Sequence, residues 1–478
     1  MEKKLTKKYG LLTAIAMVVG IVVGSGVFFK AQNILNATDG DMPLGILAWI
    51  IGGAIMIACA FCFATMATKY EKVNGLVDYA EVTCGKKYAY MVGWFMTMFY
   101  YPCITSVLAW VSARYTLEVF GHMDPTTGTC LALAGLYLCI SYAINALSPV
   151  IAGKFQVSAT IIKLIPLTLM AVAGTIYGLI AKPDGTSQPL LIQNFATSRG
   201  DNINVLFGSV VATAFAYEGW IVATSINAEL KNSKKNLPIA LTVGTLIIMC
   251  VYIAYYIGVA GGATVETLRI HGAMTAFTNI FGSVLGTVLK VFIAISCLGT
   301  LNGLMLGCTR GIYALAARNE GPKPQIFSVV DPSTNMPSNS AIFGLLLCSI
   351  WLFYFFAANL GMLFVVNYDA ETANGLIKLI GTFNAETNTF AVNWFGFDSS
   401  EIPIVTLYAI YMPIFIKMMK FKEFSPFKRI VMPILAIIGS AFMVFAAVYA
   451  HKWGVVFYLI VFAIIMIFGR MVMNAKKE

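Results

Sequence analysis

The chain has 478 residues, of which 59% are hydrophobic and 11% charged, with 32 Lys and Arg against 22 Asp and Glu for a formal net charge of +10. An ordinary soluble domain is about 25% charged and about 45–50% apolar, so a globular fold of this size would leave too much apolar surface in water. This excludes a soluble enzyme, a nucleic-acid-binding protein and a disordered chain, and leaves an all-α polytopic membrane protein.

Hydrophobic runs divided by loop signals predict about twelve transmembrane helices. They lie near 10–36, 43–68, 88–119, 129–148, 154–181, 203–228, 237–261, 277–316, 340–366, 401–420, 428–449 and 453–473. The third and eighth are longer than a bilayer requires and should tilt or protrude. The first follows Lys3, Lys4, Lys7 and Lys8 but carries polar residues and glycines through to Phe29 with no small-residue cleavage site, so it reads as a retained helix rather than a signal peptide. The loops are short except near 182–202 and 367–400. The latter, with Asp369, Glu371, Glu386 and Asp398 among Asn and Thr, reads as a solvated loop.

With the N-terminus in the cytoplasm, 22 Lys and Arg fall inside and five outside: Lys182, Arg199, Arg269, Lys378 and Lys452. Lys30, Arg114, Lys163, Lys290 and Arg310 fall within spans. This bias and the even span count predict a multi-pass protein of the cell membrane with both termini cytoplasmic. It also accounts for most of the net charge without any anionic partner; the lipid bilayer is the partner expected from composition. The ten cysteines are scattered, and Cys59-x-x-Cys62 sits mid-span without a second pair, so the thiols read as gap fillers rather than metal ligands. His122, His271 and His451 all map outside, and no nucleophile–base or metal cluster is visible, so neither enzyme activity nor a cofactor is expected. A membrane nutrient receptor is the alternative from another class, but both tails are short for a signalling segment.

Two spans combine helix weakness with polarity. In the first, Gly20-Ile-Val-Val-Gly24-Ser25-Gly26 places three glycines and a serine mid-span; in the sixth, Phe215-Ala216-Tyr217-Glu218-Gly219-Trp220 sets a carboxylate beside a glycine. Glycine costs ~1 kcal/mol in a helix interior, and unwound backbone is tolerated at that depth only where it lines a cavity. The first and sixth helices each begin a set of five, and paired interruptions at matching positions point to a transporter's central site. A half-helix starting at Gly24 to Gly26 frees N–H groups for a carboxylate, and the broken ends free carbonyls for an ammonium. The competing readings are a small-residue helix contact for the glycines and a structural hydrogen bond or ion pair for Glu218. Lys163, too deep to snorkel, should face the bundle, where it can donate to freed carbonyls of the first helix or release a proton. Arg114 reads as a snorkelling anchor, and Pro102 and Pro166 as bends.

These residues resemble the amino acid–polyamine–organocation superfamily, particularly its L-type amino acid transporter branch. The resemblance is carried by Gly24-Ser25-Gly26-Val27-Phe28, the 215–220 run, Ala228-Glu229-Leu230-Lys231-Asn232, Ser296-Cys-Leu-Gly299-Thr-Leu-Asn302-Gly303 and Ala316-Ala317-Arg318-Asn319-Glu320-Gly321. It implies one integral membrane domain over 1–478 with a five-plus-five inverted repeat, broken helices 1 and 6, and two C-terminal helices. The repeats would span 10–181 and 203–420, and the added helices 428–473. Val22, Ser25, Gly26, Phe215, Ala216 and Glu218 match the substrate-binding positions, Gly24 and Gly219 the helix breaks. Phe215 matches the aromatic that closes over the substrate. Lys163 matches the lysine that takes the place of a sodium ion in sodium-coupled relatives. The implied function is sodium-independent secondary-active amino acid transport by alternating access, with protons or a counter-substrate as coupling partner. Exchange of an amino acid for an amine or other cationic solute is the alternative. Glu218 departs from the small or apolar residue expected before the helix-6 glycine, and the 367–400 segment is longer than the usual link.

Overall fold

The computed structural model describes residues 10–70, 75–122, 124, 126–147, 149–183, 187–196, 204–221, 230–334, 336–384 and 387–474. Lys3 to Lys8, Lys72, Arg199, Ala228, Glu229 and Glu386, used in the sequence reading, lie outside them. Among the described residues the protein is all-α apart from one small sheet. Among the described residues, nine helices are long and apolar enough to cross a bilayer, and the bent pair α1 (Leu11–Val22) and α2 (Ser25–Ala37) makes a tenth span. Two shorter apolar helices, α11 (Val205–Ala216) and α18 (Ile402–Met418), coincide with the sixth and tenth expected spans.

The chain divides into two compact units, each assembled from three stretches. The first comprises residues 1–89, 156–300 and 407–444. In it α3 (Met42–Ala67) starts on the Asp41 side chain, which accepts from Leu44 N at 2.9 Å and satisfies one of the helix's free donors. Pro43 occupies the first turn, where its missing N–H costs nothing. Helix α3 packs against α11 and against α12 (Ser233–Ala260) through Trp49, whose ring meets Tyr217 and Tyr252 edge-on, each at 5.5 Å.

The second unit comprises residues 90–155, 301–406 and 445–478. The expected third span is a continuous 34-residue run over Lys86–Val119, with a π turn at Met96–Tyr100. Pro102 removes the donor that would reach the Met98 carbonyl, and Trp351 Nε1 donates to that oxygen instead at 3.0 Å. Arg114 is not a snorkelling anchor: its Nε pairs with Glu118 Oε1 at 2.8 Å, with both side chains mostly buried. The expected eighth span, α14 (Ala273–Ala316), lies mostly in the first unit, where it is two helices meeting at Gly282, whose φ of 75° only glycine takes readily.

The segment near 367–400 is not a bare solvated loop. The ninth helix ends by Leu360, and Val365–Asp369 (β1), Thr382–Asn384 (β2) and Thr389–Asn393 (β3) form an antiparallel sheet in the order β1-β3-β2. Val365 pairs with Asn393 and Asp369 with Thr389, while the Phe383 and Phe390 rings meet at a tilt across β2 and β3, 5.1 Å apart. Alternating Val, Tyr and Phe favour a strand that the polar loop composition conceals. Asn393 Nδ2 donates to Ala358 O, Lys452 Nζ to Gly381 O and Trp453 Nε1 to Trp394 O. One histidine joins an acidic group at the helix ends. His451 Nε2 lies 3.0 Å from Glu401 Oε2, and together with Asp398 they offer three ligand atoms within 4.8 Å of one another. Fifty residues separate the histidine from Glu401 in the chain, so spacing could not reveal it. Asp398 Oδ1 already accepts from Ser400 N, Ser400 Oγ and Glu401 N, which makes the group a clasp at the start of α18.

Candidate functional site

The first unit contains the expected break. Helix α1 stops at Val22 because Val23 turns extended (φ −65°, ψ 109°) and Gly24 leaves the helical region (φ −152°, ψ −148°). The axes of Leu11–Gly20 and Ser25–Ala37 differ by 48°. Stopping there strands the last carbonyls of α1 and exposes the first N–H groups of α2.

Two of these carbonyls, those of Gly20 and Val22, accept from side chains of other helices. The Gly20 carbonyl, deprived of its partner four residues on, accepts from Lys163 Nζ of α8 (Pro149–Leu169). Lys163 is buried, and this contact is the first of the two roles the sequence left open for it. The Val22 carbonyl accepts from the hydroxyl of Tyr252 at 3.1 Å. The same hydroxyl reaches the Ala216 carbonyl, also at 3.1 Å, at the end of α11. Tyr252 thus bridges both breaks, a role that sequence reasoning missed because a tyrosine inside an apolar span looks like core.

The second break follows the same logic. Helix α11 ends at Ala216, Glu218 N reaches back to Phe215 O at 3.4 Å, and Gly219 takes φ 106°. The phenol of Tyr217 donates to Trp49 O at 2.9 Å, and its ring stacks on Tyr252 at 5.3 Å. The two breaks touch. A Cβ at Gly26 would stand 2.7 Å from Ala216 Cα and 3.2 Å from Phe215 O. Both readings of the glycines therefore have substance: Gly26 is a backbone-to-backbone contact, and that contact joins two helix ends. At Gly24 a Cβ would meet Thr300 Oγ1 at 2.6 Å, so α14 closes on the break from another side.

Val22, Ser25, Gly26, Phe215 and Ala216 are all buried around this junction. The Ser25 hydroxyl is fully buried and has no hydrogen-bond partner among the described residues. It lies at the start of α2, where free N–H groups and the helix dipole favour an anion. An orphan buried hydroxyl costs about 1–3 kcal/mol until something bonds to it. Glu218 stands apart from the five, half-buried beyond the end of α11 and within electrostatic reach of Tyr408 on α18.

A family profile described as amino acid permease matches residues 9–470. The chain belongs to that family. It is similar to the serine/threonine exchanger SteT of Bacillus subtilis (strain 168), with 32% identity over 341 residues, 70% of this chain and 74% of the relative. The human cystine/glutamate transporter matches at 23% over 71% of this chain and 66% of its own. The b(0,+)-type amino acid transporter 1 of Mus musculus matches at 26%, over 71% and 68%. The protein is therefore a multi-pass membrane transporter of amino acids rather than an enzyme, as its motifs imply. The permease's broken helices carry Val22, Ser25, Gly26, Phe215 and Ala216, while Lys163 lies on α8.

Proposed function

We propose that this permease is a sodium-independent amino acid exchanger of the cell membrane, with both termini cytoplasmic, working by alternating access at the junction of α1, α2 and α11. The amino acid carboxylate would sit on the first N–H groups of α2 with Ser25 and Gly26. Its ammonium would face carbonyls around Val22, Phe215 and Ala216, with Phe215 closing over it and Glu218 biasing selectivity. The two inverted repeats would span 10–181 and 203–420, followed by two added helices. The observation that carries the reading is Lys163 bonded to the Gly20 carbonyl, a tethered ammonium at the first break. It provides there the positive charge that a sodium ion would otherwise bring. Exchange is favoured by the kinship with a serine/threonine exchanger, so serine and threonine lead the substrate panel.

The test is uptake of labelled serine into proteoliposomes with and without internal amino acid. Uptake that requires internal substrate and is indifferent to replacing sodium by choline supports the proposal. Uptake into empty vesicles driven by a pH gradient would replace exchange with proton symport, and a steep sodium dependence would overturn the role given to Lys163.

A further inference from the structure

Lys30 lies one turn beyond Gly26 on α2 and is fully buried. Its ammonium stands 5.0 Å from the ring centroid of Phe29 and 5.2 Å from that of Phe215. The two rings meet edge-on at 5.9 Å and 74°. A lysine is costly on a spanning helix, and near these rings its charge is attracted by two quadrupoles.

We propose that Lys30 is the positioning residue for the Phe215 gate, holding the ring over the amino acid site through this cation–π contact. The proposal rests on the transport reading above for what the gate covers. Helix α2 does not need Lys30 to hold its far end in place. There Asp39 pairs with Arg269 at 2.8 Å, while Gln32 and Asn36 donate to the Arg269 carbonyl. What Lys30 adds is a link from α2 to the one aromatic of α11 expected to move. When Phe215 swings away, the ammonium keeps Phe29, carried on its own helix, and loses the ring on the other. The contact therefore differs between the closed and open ring positions, as any interaction that shifts such an equilibrium must.

Lys30→Met, which keeps the stem and removes the charge, should weaken apparent affinity roughly 5- to 30-fold, the range between an exposed and a desolvated cation–π contact. Lys30→Arg should stay within about threefold of wild type, since a guanidinium also binds ring faces. In a Phe215→Leu background, Lys30→Met should cost less than about twofold more, because the contact with the Phe215 ring is already gone. Replacing Phe215 by 4-fluorophenylalanine gives a readout that needs no substrate: its ¹⁹F resonance should shift or broaden in Lys30→Met. An equal loss from Lys30→Met in both backgrounds would mean a general structural role and overturn the proposal. So would an unchanged resonance in well-folded Lys30→Met. If wild type takes up no amino acid, the transport reading fails, and the resonance alone decides whether Lys30 positions the ring.

Discussion

Removing the Tyr252 hydroxyl is the sharpest test of the junction. Tyr252→Phe keeps the ring that packs on Trp49 and Tyr217 and removes the single proton shared by the Val22 and Ala216 carbonyls. A buried carbonyl left without its donor costs about 1–3 kcal/mol. Helix ends freed at both breaks can relax and recover part of that. If about 1–2 kcal/mol falls on the arrangement that binds substrate, affinity drops roughly 5- to 30-fold. The internal control is Tyr255→Phe, three residues along the same helix. The Tyr255 hydroxyl is buried and has no hydrogen-bond partner among the described residues, so its loss should be neutral or slightly stabilising. Both variants should be purified in detergent, checked for monodispersity, and compared in equilibrium binding of labelled serine and in thermal unfolding. Equal behaviour of the two, in either assay, would refute the bridging role.

Gly26→Ala should weaken substrate binding and Gly26→Leu abolish it, because even a Cβ meets the Ala216 backbone at 2.7 Å; unchanged affinity in folded Gly26→Ala would disprove the close junction. Lys163→Met strands the Gly20 carbonyl and should eliminate transport while leaving monodisperse protein; retained wild-type rates would show that the ammonium is dispensable. For Glu218→Gln the expected change is selective, cationic substrates losing roughly 5- to 30-fold relative to neutral ones, since pair attraction is largely offset by desolvation. Competition among lysine, serine and glutamate measures this, and an unaltered order of preference would remove Glu218 from selectivity.

The spans were legible because a bilayer leaves its mark on composition, and the helix boundaries follow the hydrophobic runs closely. Both breaks were legible for a local reason: Gly24 and Gly219 announce backbone that no ordinary helix keeps. The Lys163 contact followed from depth alone, since a charge too far in to reach water must find a polar partner. What escaped depends on partners distant in sequence. Tyr252 and Lys30 draw their meaning from α11, and nothing in their own neighbourhoods names it. The small sheet was hidden because strands of three to five residues in an Asn- and Thr-rich segment look like a loop until their pairing is seen.

That sheet has a consequence for how the chain is made. Its anchors include Lys452 and Trp453 on the turn between the last two helices, and Trp453 bonds to Trp394, 59 residues earlier. At ~5–20 residues per second, the strands wait roughly 3–12 s after synthesis before their final clasps exist. His451 meeting Glu401 belongs to the same late event. A chain stalled short of this point would hold the strands without their Lys452 and Trp453 anchors.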